Sequence, residues 1–102
     1  MAIQINTNVE TADGFIVQPF CYLYIQIYDP NFSNCVLQYY KSKDDFIAGK
    51  SPVNIPSLTN CFNAEITNEE FWGTELALTF HNKAIALIEE TTGQGSCVVV
   101  ND

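Results

Sequence analysis

A chain of 102 residues supports one hydrophobic core and not two, and 47% hydrophobic with 13% aromatic residues excludes a disordered polar segment. Twelve carboxylates stand against four lysines and no arginine, giving a net charge of -8. That balance repels phosphates and omits the side chain best suited to bidentate phosphate or base contacts, which argues against direct nucleic-acid binding.

The first residues, MAIQINTNVETADG, carry neither the basic nor the apolar stretch of a signal peptide, and no apolar run approaches the roughly 20 residues needed to cross a bilayer. The expectation is a soluble protein made in a cytoplasm, with no membrane partner. Ile3 and Ile5 alternate with polar neighbours as a short strand, suited to an edge or to reaching onto a neighbour. Asp13-Gly14 favours a turn with positive φ and a hairpin leading into the next strand. Pro19 cannot donate to a ladder, so the regular part of that strand begins near Phe20. From Phe20 to Tyr28 the side chains divide by parity: Cys21, Leu23, Ile25 and Ile27 on one side, Phe20, Tyr22, Tyr24, Gln26 and Tyr28 on the other. A strand with one aliphatic and one aromatic face needs cover on both, which predicts a central position or burial against another chain.

Asp29-Pro30-Asn31 closes the strand and Phe32-Ser33-Asn34 completes a loop of hairpin length. Cys35 to Lys41 returns antiparallel, with Cys35, Leu37 and Tyr39 opposite Val36, Gln38 and Tyr40, so that Tyr40 extends the aromatic surface. Ser42 with Asp45 three residues on has N-cap spacing, and Gly49 ends a single helical turn. Ser51 to Pro56 is an extended piece bracketed by prolines. Cys61 to Ile66 alternates as another strand. Thr67-Asn68-Glu69-Glu70 is a capping box, with Ile66 placed to staple onto Phe71. After Gly73 a helix runs from Thr74-Glu75 to about Thr92, with Leu76, Phe80, Ala84, Leu87 and Ile88 on one face and Gly93 at its end. Two acids in its last turn, Glu89 and Glu90, oppose the helix dipole. Ser96 to Val100 adds a last strand. The expected fold is a single α+β domain over residues 1–102: a mainly antiparallel sheet, one long C-terminal helix packed on one face, and a final short strand.

Cys21, Cys35, Cys61 and Cys97 are irregularly spaced inside apolar runs, which reads as reduced core thiols with no zinc spacing. His81 is the only histidine and has no partner identifiable from sequence, so it reads as a core or surface ring and not as a general base. Asp44-Asp45 and Glu69-Glu70 are explained by helix capping and lack the alternating oxygen ligands of a calcium loop. No catalytic, cofactor-binding or metal-binding residue is assigned. The aromatic set Phe20, Tyr22, Tyr24, Tyr28 and Tyr40 reads as a second core layer or a protein interface and is the candidate interface, since tyrosine is enriched at protein contacts and so acidic a chain without arginine does not stack nucleic-acid bases.

Two segments, LQYYKSKDDFIAGKSPVNI from Leu37 to Ile55 and ITNEEFW…HNKAIALIEETTG from Ile66 to Gly93, resemble parts of small acidic structural proteins of tailed bacteriophages, those of Bacteroidetes hosts and the crAss-like group included. The resemblance implies a non-enzymatic virion protein of the head, neck or tail, made in the host cytoplasm. Its implied partners are other virion proteins and further copies of itself, with no cofactor, and no site residue is carried over. The alternative reading is a small acidic phage-encoded inhibitor that binds a host defence protein, which the net charge of -8 suits.

Overall fold

The computed structural model describes residues 1–29 and 32–101. In chain order the elements are β1 (Ala2–Ile5), β2 (Val9–Glu10), β3 (Ile16–Val17), β4 (Phe20–Asp29), β5 (Phe32–Tyr40), α1 (Lys43–Ile47), β6 (Cys61–Ala64), α2 (Asn68–Trp72), α3 (Leu76–Thr92) and β7 (Cys97–Val100). Five strands form an antiparallel sheet in the order β6-β5-β4-β1-β7, with β4 at its centre. The expected α+β class, with its long helix and last strand, is what the chain adopts. No helix among the described residues is long and apolar enough to cross a membrane.

The sheet and α3 enclose the main core. Parity places Ile3, Ile5, Cys21, Leu23, Cys35 and Leu37 on one face, where they join Phe80, Ala84 and Ile88 of the helix in a single buried cluster. The helical stripe differs from expectation at one position, and His81 takes the core placement of its two readings. His81 is buried beside Phe80, and Ile85 packs against the cluster where Leu87 was expected. Positions 81, 84, 85 and 88 share a face at 3.6 residues per turn, so the histidine is carried inward by its spacing despite its polarity.

Other placements also depart from the sequence reading. Strand β1 is not an edge: it lies between β4 and β7, because Ile3 and Ile5 are covered by α3 while Ala2 is buried on the opposite face. The Asp13-Gly14 turn forms, with Gly14 at φ 91 and its N–H donating to the Thr11 carbonyl at 3.0 Å. It joins β2 to β3 in a separate two-stranded sheet, and β4 follows only after Pro19. Phe32, Ser33 and Asn34 are strand and not loop. Ser33 pairs with Ile27 and is fully buried, its hydroxyl donating to the Ala64 carbonyl at 2.6 Å. The turn expected at Pro30-Asn31 lies outside the described residues. The proline-bracketed stretch bridges β5 at one point, where Val53 N–H donates to Tyr39 O at 2.7 Å, and then sends Ile55 and Leu58 into the core.

Helix ends follow the capping chemistry. Ser42 Oγ accepts from Asp45 N–H at 3.2 Å, and Gly49 takes φ 74 beyond α1. At α2 the reciprocal box is complete: Glu70 N–H donates to Thr67 Oγ1 at 3.0 Å and Thr67 N–H to Glu70 Oε1 at 2.9 Å. The Thr67 N–H bond holds the Glu70 carboxyl below the usual carboxylate range. The acids at the end of α3, unfavourable for the dipole, have different fates. The Glu89 carboxylate turns onto the following chain and accepts from the N–H groups of Gly95 at 2.9 Å and Cys97 at 3.2 Å, anchoring the turn that launches β7. Glu90 is exposed.

Glu89→Ala should therefore cost about 1 kcal/mol or more, because two backbone donors lose a charged acceptor. For a domain of this size that corresponds to a fall in Tm of roughly 4–8 °C. Glu90→Ala should leave Tm within about 2 °C. Thermal melts of the two variants followed by far-ultraviolet circular dichroism make the comparison, and equal effects would remove the anchoring role.

Candidate interaction surface

Opposite α3, the even-numbered residues of β4 and β5 form a second face. Its proximal half is closed by α1, which delivers one side chain, Phe46, onto the sheet. The Phe46 ring lies 5.1 Å from Phe20 in a tilted arrangement, 5.1 Å from Tyr22 in a stacked one and 5.0 Å from Tyr40 edge-on. Phe20 is consequently inaccessible, Tyr40 is 7% exposed and Tyr22 is half-buried. Burial also raises the Tyr40 phenol above its ordinary value, and its hydroxyl donates to Gln38 Oε1 at 3.2 Å.

The five aromatic residues expected at an interface thus separate into two groups. Phe20 and Tyr40 belong to an internal cluster with Phe46, Ala2 and Val100, and they present no surface to a partner. Tyr24 and Tyr28 lie further along β4, beyond the reach of α1, and are 50% and 64% exposed. Tyr22 sits between the two groups, its ring 5.2 Å from that of Tyr24. Phe32 and Val36 of β5 complete the exposed strip, with the Phe32 ring 5.3 Å from that of Tyr28. Sequence alone places Phe32 in a loop, and the spacing of a single helical turn between Ser42 and Gly49 does not show that Phe46 reaches the sheet. A stronger weight on the uninterrupted alternation from Phe32 through Tyr40 would have found the first.

The strip is uncharged. Residues 20–28, 32–40 and 61–64 contain no Asp, Glu or Lys in a chain of net charge -8, and Asp29 at the end of β4 is the one charged residue of the three strands. Polar groups on it are paired locally: Tyr28 hydroxyl donates to Gln26 Oε1 at 3.2 Å. An exposed, uncharged, aromatic strip on a rigid antiparallel sheet is suited to contact with another protein surface, where desolvation costs little and rings provide area.

The groups weighed for catalysis are placed otherwise. His81 Nδ1 lies 2.6 Å from the Ala77 carbonyl, and since a carbonyl only accepts, this nitrogen carries the proton. Nε2 is then an acceptor, buried and without a hydrogen-bond partner. Among the described residues no cysteine or carboxylate bonds the ring. All four cysteines are free. Burial pushes the Cys35 thiol up to about 12 and raises Cys21 and Cys97 as well, which is the opposite of activation. Cys61 departs from the expectation of a buried thiol: it lies on the solvent side of β6 and is exposed. Asp45 donates its N–H to the Ser42 hydroxyl that caps α1 and its carboxylate pairs with Lys50 at 3.5 Å, and Glu70 closes the capping box. Among the described residues no cluster of three or more His, Cys, Asp or Glu side chains gathers in metal-binding geometry.

Comparison with known proteins finds no match to any protein-family profile, curated protein or solved structure.

Two measurements check this arrangement. Phe46→Ala should remove about 2 kcal/mol of stability in urea titrations, because it uncovers Phe20, Tyr22 and Tyr40 together. A neutral result would mean that α1 does not seal the proximal face. Native protein should show one fast-reacting thiol with Ellman's reagent at pH 8 and four after denaturation, and Cys61→Ser should abolish the fast phase. Two or more fast thiols would place another cysteine at the surface.

Proposed function

We propose that the chain is a non-enzymatic structural component of a tailed-phage virion, in the head, neck or tail, working through protein contacts with other virion proteins and with further copies of itself. The observation that carries this reading is the exposed aromatic strip of Tyr24, Tyr28, Phe32 and Val36 on an otherwise strongly acidic molecule. Such a strip is costly to leave in water and inexpensive to bury against a complementary surface. The resemblance of residues 37–55 and 66–93 to small phage virion proteins supplies the biological setting. Catalysis finds no support in the placement of His81 and the thiols, and net charge argues against a nucleic-acid ligand.

A second reading, the acidic inhibitor of a host defence protein, draws support from a different corner. Trp72 at the end of α2 is 81% exposed and edge-on to Phe71 at 4.9 Å, with Glu69 and Glu70 in the same short helix. An exposed tryptophan beside carboxylates suits a basic protein partner.

The readings separate by experiment. Mass spectrometry of density-gradient-purified particles from the source phage should recover the chain in fixed stoichiometry with known head and tail proteins. Immunogold labelling should place it at one position on the particle. Particles that lack the chain, together with salt-sensitive binding to a basic host protein that Trp72→Ala abolishes, would replace the virion reading with the inhibitor one.

A further inference from the structure

We infer that the corner around Trp72 is a docking knob for an arginine-bearing segment of another, basic protein, whose guanidinium stacks on the indole and pairs with the carboxylates of Glu69 and Glu75. This deepens the second reading above, on which it rests for the basic partner, by naming what that partner presents. It requires no contact of the aromatic strip.

The first observation is a ring that the fold holds outward. Trp72 is 81% exposed, more than any other large apolar side chain among the described residues. It does not hang from a loop. Its neighbour Phe71 packs against the main core and meets the indole edge-on at 4.9 Å, with an interplanar angle of 88°. The capping box fixes one end of α2, and at the other the Gly73 N–H donates to the Glu70 carbonyl at 3.3 Å. A Cβ at Gly73 would stand 3.0 Å from the Glu69 carbonyl oxygen, so the chain leaves the helix too tightly for a larger residue to fit without a shift. The indole is thus carried on a short, stiff support, and ring area held in place loses little entropy on contact.

The second observation is the charge beside that ring. From residue 51 to residue 82 the sequence contains Glu65, Glu69, Glu70 and Glu75 and no lysine. Glu70 is engaged by the capping box and shares a depression with Lys83. Glu69 and Glu75 are exposed, and among the described residues no lysine comes within ion-pair distance of either. Both line a shallow, open groove with Gly73, Thr74 and Thr79, between the end of α2 and the start of α3. Glu69 precedes Trp72 by three residues, which sets the two side chains on neighbouring positions of one helical turn, about 5–6 Å apart at Cβ. A cation that lies on the indole is therefore within reach of a carboxylate.

The occupant follows from the two observations together. The indole face attracts a cation through its quadrupole, and arginine combines stacking on that face with a paired bond to a carboxylate. A lysine ammonium is a compact, strongly hydrated charge that offers neither the stacking plane nor the fork of donors. A second copy of this chain does not fit, because it has no arginine and carries the same net charge of -8. Shape argues against a free small cation: the ring projects and the groove is open, whereas a small-ligand site encloses most of its ligand. A basic protein segment brings both the guanidinium and the further area that an open surface needs, and the field of the acidic chain draws it in.

Trp72 is the only tryptophan, so its fluorescence reports on the corner directly. Titration with a short peptide of alternating arginine and glycine should change the emission saturably. By isothermal titration calorimetry the matching lysine peptide should bind several-fold more weakly. Trp72→Ala should weaken the arginine peptide by roughly tenfold and Glu69→Gln by about threefold, with far-ultraviolet circular dichroism unchanged because both side chains are exposed. Glu90→Gln, which removes an exposed carboxylate from the far end of α3, should leave the affinity as it is. Equal affinity for the two peptides, equal weakening by Glu69→Gln and Glu90→Gln, or no binding of either peptide overturns the inference. A basic host protein bound equally well by wild type and Trp72→Ala keeps the inhibitor reading and overturns this one. Particles that lack the chain sink the virion reading without bearing on this corner.

Discussion

The structure depends on the need to keep water off both faces of β4. A strand whose odd residues are aliphatic and whose first even residues are Phe20 and Tyr22 cannot lie on a single layer with one side wet. The chain meets that demand twice. Helix α3 covers the odd face with Phe80, Ala84 and Ile88, and α1 covers the start of the even face with Phe46. Position in the sheet follows: β5 and β1 flank β4 because both carry small or apolar residues on both faces near this point, as Ala2 opposite Ile3 and Tyr40 opposite Tyr39 illustrate. The asymmetry between a 17-residue helix and a 5-residue helix leaves the far half of the even face uncovered.

Polar groups inside this arrangement show where the fold is tolerant and where it is not. Ser33 is fully buried but satisfied by a bond to the next strand, so its position costs little. Tyr39 is buried with its hydroxyl donating to the Thr59 carbonyl, and burial holds its phenol protonated well above the ordinary range. That bond ties the irregular stretch after α1 to the sheet and explains how a segment with one bridge to β5 still places Ile55 and Leu58 in the core. His81 is the exception, with one nitrogen bonded within its own helix and the other unmatched. An unpaired buried acceptor costs about 1–3 kcal/mol, so the surrounding apolar packing must exceed that penalty for the ring to stay inside.

Legibility in the sequence tracked how local the determining force was. The parity of residues 20–28, the caps at Ser42 and Thr67, and the end of the helix at Gly93 are set by neighbours within four residues, and all were readable. The placement of β1 between two strands is a tertiary fact: its four residues look like an edge because nothing local reveals that α3 and α1 will cover their two sides. Ser33 and Asn34 read as loop because Pro30-Asn31 and two small polar residues together imitate a long turn, while the pairing that makes them strand comes from β4 and β6. At the candidate surface the residue types were right and their fates were not. Sequence places Phe20, Tyr22, Tyr24, Tyr28 and Tyr40 on one face, but only the reach of Phe46 divides the buried from the exposed. The end-of-helix acids show the same limit, since Glu89 is unfavourable to its own helix and favourable to a turn six residues on.

Charge and apolar surface act together in this molecule. A net charge of -8 on 102 residues makes two copies repel across most orientations. The penalty is smallest where charges are absent, as they are from β4 up to Tyr28 and throughout β5 and β6. An acidic exterior therefore opposes the indiscriminate edge pairing that an aromatic β-strand otherwise invites, while the uncharged arm remains available to a surface that matches it. Replacing the strip with charged residues would improve solubility and stop that contact. Neutralising the rest of the exterior would leave the strip in place but remove its selectivity, because every other apolar patch, Ile47 and Trp72 included, would then compete. Under the proposed assembly, the acidity of the chain confines association to the uncharged arm, and the aromatic strip is what makes association worth confining.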